Sequence, residues 1–391
     1  MSKSMEVSPQ NEKPAAIKKN RLRDYLISMA IMLIIAGLTL HFILKDTQLD
    51  QIWASLLAAR LSFVFMGFAC MLLSTIFSSL SIRLLISTAM QVHTPYHVCL
   101  CTAFIGYYFN NITPSATGGQ PMQVYYLHRC HVDVAGASVI FLSMTMMYNF
   151  TLILFSSLML ILKPQLILQS LYGLKYLLIW GYVANGFLMF FCFALISFPH
   201  QLQGIVLWFM ERLSRRRLLR NYEKKLEKTK TFFLRYAASS QSFRASSGKL
   251  IALLAYHMLQ IFFMFLVPFF AAKALNPDFQ GFWDCFALNS VLNLATAGFP
   301  TPGSVGITES AFLTIFRSTF HEDTVSVMLL TRMLNFYAFL LLSALVTLVA
   351  FSTAGSRLSR VMLISEKRAK HSKKSVQNIQ NASENTGKSS D

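Results

Sequence analysis

Residues 282–317 read FWDCFALNSVLNLATAGFPTPGSVGITESAFLTIFR. The two ends of this stretch are apolar enough to enter a membrane, yet its middle carries Gly298, Pro300, Pro302, Gly303 and Gly306 within nine residues. Proline removes a backbone donor and a helical glycine costs about 1 kcal/mol against alanine, so one continuous helix is excluded. A second stretch of the same kind, residues 96–131, runs through Asn110 and Asn111 into Pro114, Gly118, Gly119 and Pro121. In hydrocarbon, backbone that is not helical survives only where protein or a wet cavity covers it. Both stretches are therefore expected to be re-entrant: each enters the membrane, turns inside it and leaves by the face it entered.

Around them lie uninterrupted apolar runs at 26–44, 61–82, 134–162, 175–198, 250–272 and 324–352. Each is near or above the roughly 20 residues that cross a hydrocarbon core. The first is long enough to span and has no small-residue cleavage site behind it, so it is expected to be a retained span and not a cleaved signal. The whole chain of 391 residues is 54% apolar and only 13% charged, with mean hydropathy +0.48, against about 25% charged for a soluble domain. A soluble enzyme is excluded. The six cysteines fall mostly in apolar runs and read as buried small hydrophobes.

The charge is localised. Residues 1–24, 199–249 and 355–391 hold 26 of the 35 Lys and Arg and nine of the 17 Asp and Glu, a net +17 of the chain's +18. Basic segments flanking apolar spans mark the cytoplasmic face of a cell membrane. With the N-terminus inside and both broken segments re-entrant, all three basic segments land on that face. If either broken segment crossed fully, the loop and the tail would fall on opposite sides. The expected fold is thus an all-α polytopic membrane protein with six full spans and two re-entrant broken helices. Its parts are a basic cytoplasmic N-terminus (1–24), a membrane domain (25–355) with the basic loop 199–249, and a disordered basic tail (356–391). Residues 21–165 and 171–355 repeat one order, two spans, a broken segment and a span. Three crossings per half invert the second half, the inverted-repeat plan in which paired broken helices build a site near the midplane.

Within the basic loop, residues 201–235 alternate apolar and basic side chains at helical spacing. A helix lying on anionic inner-leaflet lipid and a plain solvated loop both fit this pattern. His93, His97, Cys99, Cys101, His128, Cys130 and His131 flank the first broken segment, but their spacing matches no standard zinc pattern. They read as structural, and no metal or cofactor is expected. No nucleotide or hydrolase motif is present.

The informative residues are polar and embedded. Arg332 lies about 12 Å into the last span at helical rise, where an arginine costs at least about 2.5 kcal/mol. Its candidate partner is Glu309, just past the Pro-Gly break; that carboxylate could equally face a substrate cation or take up a proton. Thr331 and Asn335 flank Arg332, and Thr145, Tyr148 and Asn149 form a comparable strip in span 134–162. The candidate substrate-binding set is Asn110, Asn111, Gly118, Gly119, Asn149, Asn293, Pro302, Gly303, Glu309, Arg332 and Asn335. Bland alternatives stand beside it: helix-to-helix hydrogen bonding for the Asn and Thr residues, and a purely architectural ion pair for Arg332 and Glu309.

The segments FNNITPSATGGQP (109–121) and FPTPGSVGITESAF (299–312), with the order of spans, resemble the flippase-like transmembrane domain of lysylphosphatidylglycerol synthases, the multiple peptide resistance factors of bacteria. The resemblance covers roughly residues 20–355. It implies a protein that translocates or handles an aminoacylated phospholipid such as lysyl-phosphatidylglycerol. In the full-length members a soluble C-terminal domain transfers lysine from lysyl-tRNA to phosphatidylglycerol, giving resistance to cationic antimicrobial peptides. Here residues 356–391 are polar and basic, so the expectation is a short form without that transferase domain. Phosphatidylglycerol lysyltransfer, with tRNA as partner, and a scaffold role for a separate lipid-modifying enzyme are the alternatives. The expected partners are membrane phospholipid and, through the basic loop, inner-leaflet anionic lipids.

Overall fold

The computed structural model describes residues 54–353 apart from residues 55, 91, 172, 216–221, 246 and 300. The chain divides into two units, Met1–Thr47 and Gln48–Asp391; the first lies outside the described residues, and with it the expected span 26–44. The basic segments 1–24 and 356–391 lie outside them too. What is described of the second unit is helical. Its elements are α1 (Leu61–Ala89), α2 (Tyr96–Ile112), α3 (Gly119–Arg129), α4 (Val134–Leu162), α5 (Pro164–Ser170), α6 (Lys175–Ser197), α7 (Pro199–Arg215), α8 (Tyr222–Arg244), α9 (Ser247–Phe265), α10 (Val267–Leu275), α11 (Phe282–Thr296), α12 (Ile307–Ile315), α13 (Arg317–Phe320), α14 (Thr324–Arg332) and α15 (Phe339–Thr353).

Among the described residues five helical stretches are long and apolar enough to cross a membrane: Leu61–Ala89, Val134–Leu162, Lys175–Ser197, Gly248–Leu275 and Arg317–Thr353. They coincide with the expected second to sixth spans. Several of their hydroxyl side chains are quenched locally: Thr75, Ser143 and Thr151 each donate to the carbonyl four residues back. α4 starts where Asp133 accepts from the N–H groups of Ala135 and Gly136 at 3.1 and 3.2 Å, an N-cap worth about 1 kcal/mol.

Both broken segments are helix–turn–helix hairpins. In the first, α2 and α3 pack against each other in antiparallel register: the Gly119 N–H donates to Asn110 Oδ1 at 3.1 Å, and Gln123 Nε2 donates to Thr102 O at 3.0 Å. A Cβ on Gly119 would sit 2.8 Å from the Gly106 carbonyl oxygen, so the close approach of the two helices needs glycine there. In the second hairpin α11 packs on α12. The ring of Phe320, at the end of α13, lies 5.4 Å from that of Phe279, just before α11, so the chain comes back to the level at which it entered.

α11 is deeply enclosed. Every residue from Cys285 to Thr296 except Asn293 is buried, and three side-chain bonds tie it to its neighbours. Ser156 of α4 donates to Ser290 O at 2.9 Å, Asn185 of α6 to Leu294 O at 3.2 Å, and Asn289 to Phe265 O of α9 at 3.2 Å. The tips of the hairpins, Pro114–Ala116 and Pro302–Ser304, are in contact.

The described residues of the basic loop form mainly two helices, α7 and α8, packed on each other. α8 is anchored to the membrane part. Arg235 Nη1 is 2.9 Å from Asp133 Oδ1, and Tyr236 donates its hydroxyl to Leu195 O at 3.0 Å; burial pushes that hydroxyl up to about 12, so it stays a donor at any physiological pH.

Candidate functional site

The site grows from the start of α12. The chain turns into this helix at Gly306, with φ 90°, and Glu309 stands in its first turn. Glu309 Oε2 accepts from the Gly306 N–H at 2.7 Å, satisfying one of the donors that a helix start leaves open, at the end where the macrodipole favours an anion. Its other oxygen, Oε1, lies 2.7 Å from Arg332 Nε. Glu309 is 2% exposed and Arg332 9%. The two charges that stood alone in apolar sequence form a buried pair.

Arg332 is the last residue of α14. Beyond it Met333–Ala338 widen into a π-helical segment, a form that recurs at functional sites because it loosens the regular bond ladder. One carbonyl of that segment, Asn335 O, accepts the Tyr107 hydroxyl from α2. Phe336 turns its ring under the guanidinium, 5.3 Å from ring centroid to Cζ. The Nε contact with Glu309 is close but off the N–H axis, a charge contact and not an aligned hydrogen bond; Arg332 Nη2 is buried with no partner among the described residues. Thr301 Oγ1, Thr331 Oγ1 and Asn335 Oδ1 are in the same condition. A buried polar group left unpaired costs about 1–3 kcal/mol, more when it is charged. Each such group calls for an explanation.

The hairpin tips close on the same place. Gly303 has φ 58°, the left-handed region, and a Cβ there would lie 2.3 Å from the Phe336 ring and 3.3 Å from Asn111 O. Glycine is favoured by its dihedral angle and required by the space. Tyr107 is within electrostatic reach of Arg332 and Tyr148, and Tyr337 of Glu309 and Arg332. Three elements therefore converge: the first hairpin, the second hairpin and the π segment with Arg332 before it.

The candidates separate into groups. Gly303, Glu309, Arg332 and Asn335 share this place, with Pro302 at the tip and the carbonyl of Asn111 beside it. Asn110, Gly118 and Gly119 serve the first hairpin itself: Thr113 Oγ1 accepts from the Gly118 N–H at 2.9 Å, and Asn110 holds Gly119. Asn111, Asn149 and Asn293 each donate from Nδ2 to the carbonyl four residues back, at 2.8, 2.7 and 2.8 Å. Gln120 Nε2 bonds Thr145 Oγ1, joining the first hairpin to α4. His93, His97, His128 and His131 are exposed, and Cys101 and Cys130 both meet the Tyr126 hydroxyl. Among the described residues no three His, Cys, Asp or Glu side chains gather as a metal site.

Tyr107, Thr301 and Phe336 escaped sequence reasoning. One signal was available for Thr301. A Thr-Pro pair opens each break, Thr113-Pro114 and Thr301-Pro302.

Fold and site define a multi-pass membrane protein in which two broken helical hairpins meet tip to tip beside a buried Arg-Glu pair. The family model described as lysylphosphatidylglycerol synthase TM region matches residues 26–343, so the chain belongs to that family. That membership places it among the membrane proteins of the lysylphosphatidylglycerol pathway. Comparison with curated proteins finds no match.

Proposed function

We propose that this protein carries phospholipid across the bilayer and that Arg332 holds the lipid phosphate at the junction of the two hairpins. The observation that carries the proposal is the buried guanidinium with Nη2 unpartnered. A headgroup faces a large desolvation barrier in hydrocarbon, and a guanidinium is the side chain best matched to a phosphate. Glu309 keeps Arg332 in place. The family description supports a lipid of the lysylphosphatidylglycerol pathway as cargo.

The same proposal includes the arrangement in the cell membrane. The net +17 on the three basic segments supports their lying on the cytoplasmic face, and the shared order of long helix, hairpin and long helix supports an inverted repeat. On α7, Ile205, Trp208 and Phe209 are exposed and Arg212 lies over the Trp208 ring at 5.9 Å. An apolar face rimmed by arginine suits a layer of anionic headgroups.

The family name favours one rival, lysyl transfer from tRNA. Against it, Phe233, Tyr236 and Phe243 of α8 are buried in the protein, where bases cannot stack on them, and the exposed Trp208 and Phe209 of α7 belong to the apolar face read above as lipid-facing.

The test is leaflet-selective lipid labelling in cells carrying the wild type or the double variant Arg332→Leu/Glu309→Leu, each checked for expression and insertion. Lipid stranded in the inner leaflet by a well-inserted double variant is the expected result. Wild-type translocation by that variant would leave the pair as architecture. Lysyl-phosphatidylglycerol formed by the purified chain from lysyl-tRNA would favour the rival.

A further inference from the structure

Glu309 is the one buried carboxylate among the described residues, and both of its oxygens are engaged, one by the Gly306 N–H and one by Arg332 Nε. Around the junction the remaining capacity is unequal in charge. Arg332 Nη2 offers a cationic donor, Thr301 Oγ1 and Thr331 Oγ1 offer neutral hydroxyls, and Asn335 Oδ1 offers a neutral acceptor. The Phe336 face, where an ammonium would otherwise rest, is covered by the guanidinium. The site has room in its bonding for one negative charge and for hydroxyls. It holds no spare negative charge for an ammonium, which would also stand beside Arg332, a like charge.

We infer that the headgroup accepted here carries the single negative charge of its phosphodiester and no positive charge: an anionic phospholipid with an uncharged, hydroxylated headgroup, of which phosphatidylglycerol is the simplest case, in preference to an aminoacylated lipid. This rests on Arg332 as the phosphate-holding group. The phosphate takes Nη2, and the headgroup hydroxyls take Asn335 Oδ1 and the threonines. An aminoacyl headgroup brings the same phosphate with one or more ammonium groups that must leave water without a carboxylate to meet them.

The experiment measures binding to the purified full chain by native mass spectrometry and by lipid-dependent thermal stabilisation. The probes are phosphatidylglycerol, lysyl-phosphatidylglycerol, phosphatidylethanolamine and inorganic phosphate. The variants are Arg332→Gln/Glu309→Gln, which removes both charges and keeps an oxygen for the Gly306 N–H, and Asn335→Asp. Asn335→Asp adds a carboxylate where Oδ1 is unpartnered and leaves the Tyr107 bond, which uses the backbone carbonyl. The wild type is expected to bind phosphatidylglycerol at least tenfold tighter than either lipid bearing an ammonium, with no stabilisation by inorganic phosphate. Loss of that preference is expected in the Gln/Gln variant, and its reversal toward lysyl-phosphatidylglycerol in Asn335→Asp.

Equal or tighter binding of lysyl-phosphatidylglycerol or phosphatidylethanolamine by the wild type, still dependent on Arg332, would overturn the headgroup inference and leave the phosphate site standing. Lipid binding indifferent to the Gln/Gln variant would overturn both. Stabilisation by inorganic phosphate equal to that by lipid would mark a site for a free anion and overturn the inference as well.

Discussion

The two hairpins start from nearly the same local chemistry and end in opposite conditions. Each break opens with Thr-Pro, and each tip places residues in the left-handed region: Ser115 and Ala116 at φ 52° and 53° in the first, Gly303 and Ser304 at 58° and 52° in the second. In the first hairpin the polar groups at the break close on one another. Thr113 donates to Phe109 O at 2.7 Å and accepts from Gly118, and Asn110 accepts from Gly119. In the second, the matching Thr301 hydroxyl has no partner among the described residues, and the bonding is directed outward through Glu309 to Arg332. A satisfied hairpin is a strut. An unsatisfied one is a working surface, since in hydrocarbon the missing partner has to come from another molecule or from water.

The largest expected effect falls on the second hairpin. Arg332→Leu or Glu309→Leu alone leaves one buried charge uncompensated and should cost about 3–5 kcal/mol. The double leucine variant should recover most of this, short of about 1–3 kcal/mol for the orphaned Gly306 N–H. Thermal unfolding of the three variants in detergent checks it. Equal losses in the singles and the double would mean that the pair does not couple the hairpin to the last span.

An intermediate effect is expected in the first hairpin. Asn110→Ala strands the Gly119 N–H and Thr113→Val strands the Gly118 N–H, each costing about 1–3 kcal/mol. Translocation per folded molecule should stay at the wild-type level, measured by leaflet labelling normalised to inserted protein. A folded Asn110→Ala variant that fails to translocate would move the first hairpin from strut to working surface.

Much of this was legible in the sequence, for identifiable reasons. The spans from 61 to 352 could be read because apolar length is a direct consequence of bilayer thickness. The hairpins could be read because Pro114, Pro302 and the nearby glycines forbid a helix through them. The pairing of Arg332 with Glu309 followed from the cost of leaving either alone in hydrocarbon. The division of labour did not follow. Asn110, Gly118 and Gly119 look as functional in sequence as Gly303 and Asn335, because a polar residue at a break is needed equally for closing a hairpin and for binding a ligand. The π segment was also hidden, since Met333–Ala338 contain neither Pro nor Gly and a widened turn is imposed by packing, here by Tyr107 and the tip at Gly303. The recurrence of Thr-Pro was visible, but its meaning depends on whether each hydroxyl finds a partner, which only three-dimensional structure decides.

The smallest effect on stability is the sharpest test of the comparison. Thr301 has extended backbone, φ −97° and ψ 140°, as suits a residue before proline, and valine fills the same shape. Its hydroxyl contributes no hydrogen bond among the described residues while bearing the cost of burial, so Thr301→Val should change stability by less than about 0.5 kcal/mol, or raise it slightly. The same exchange at Thr113 removes two bonds. If the second hairpin is the working surface, Thr301→Val should nonetheless slow translocation several-fold, because the hydroxyl is then made useful only when a headgroup arrives. The pair of substitutions, measured side by side for unfolding and for leaflet transfer, should cross over: Thr113→Val unstable and active, Thr301→Val stable and slow. Equal destabilisation by both would show that Thr301 already has its partner, and the contrast between the hairpins would collapse.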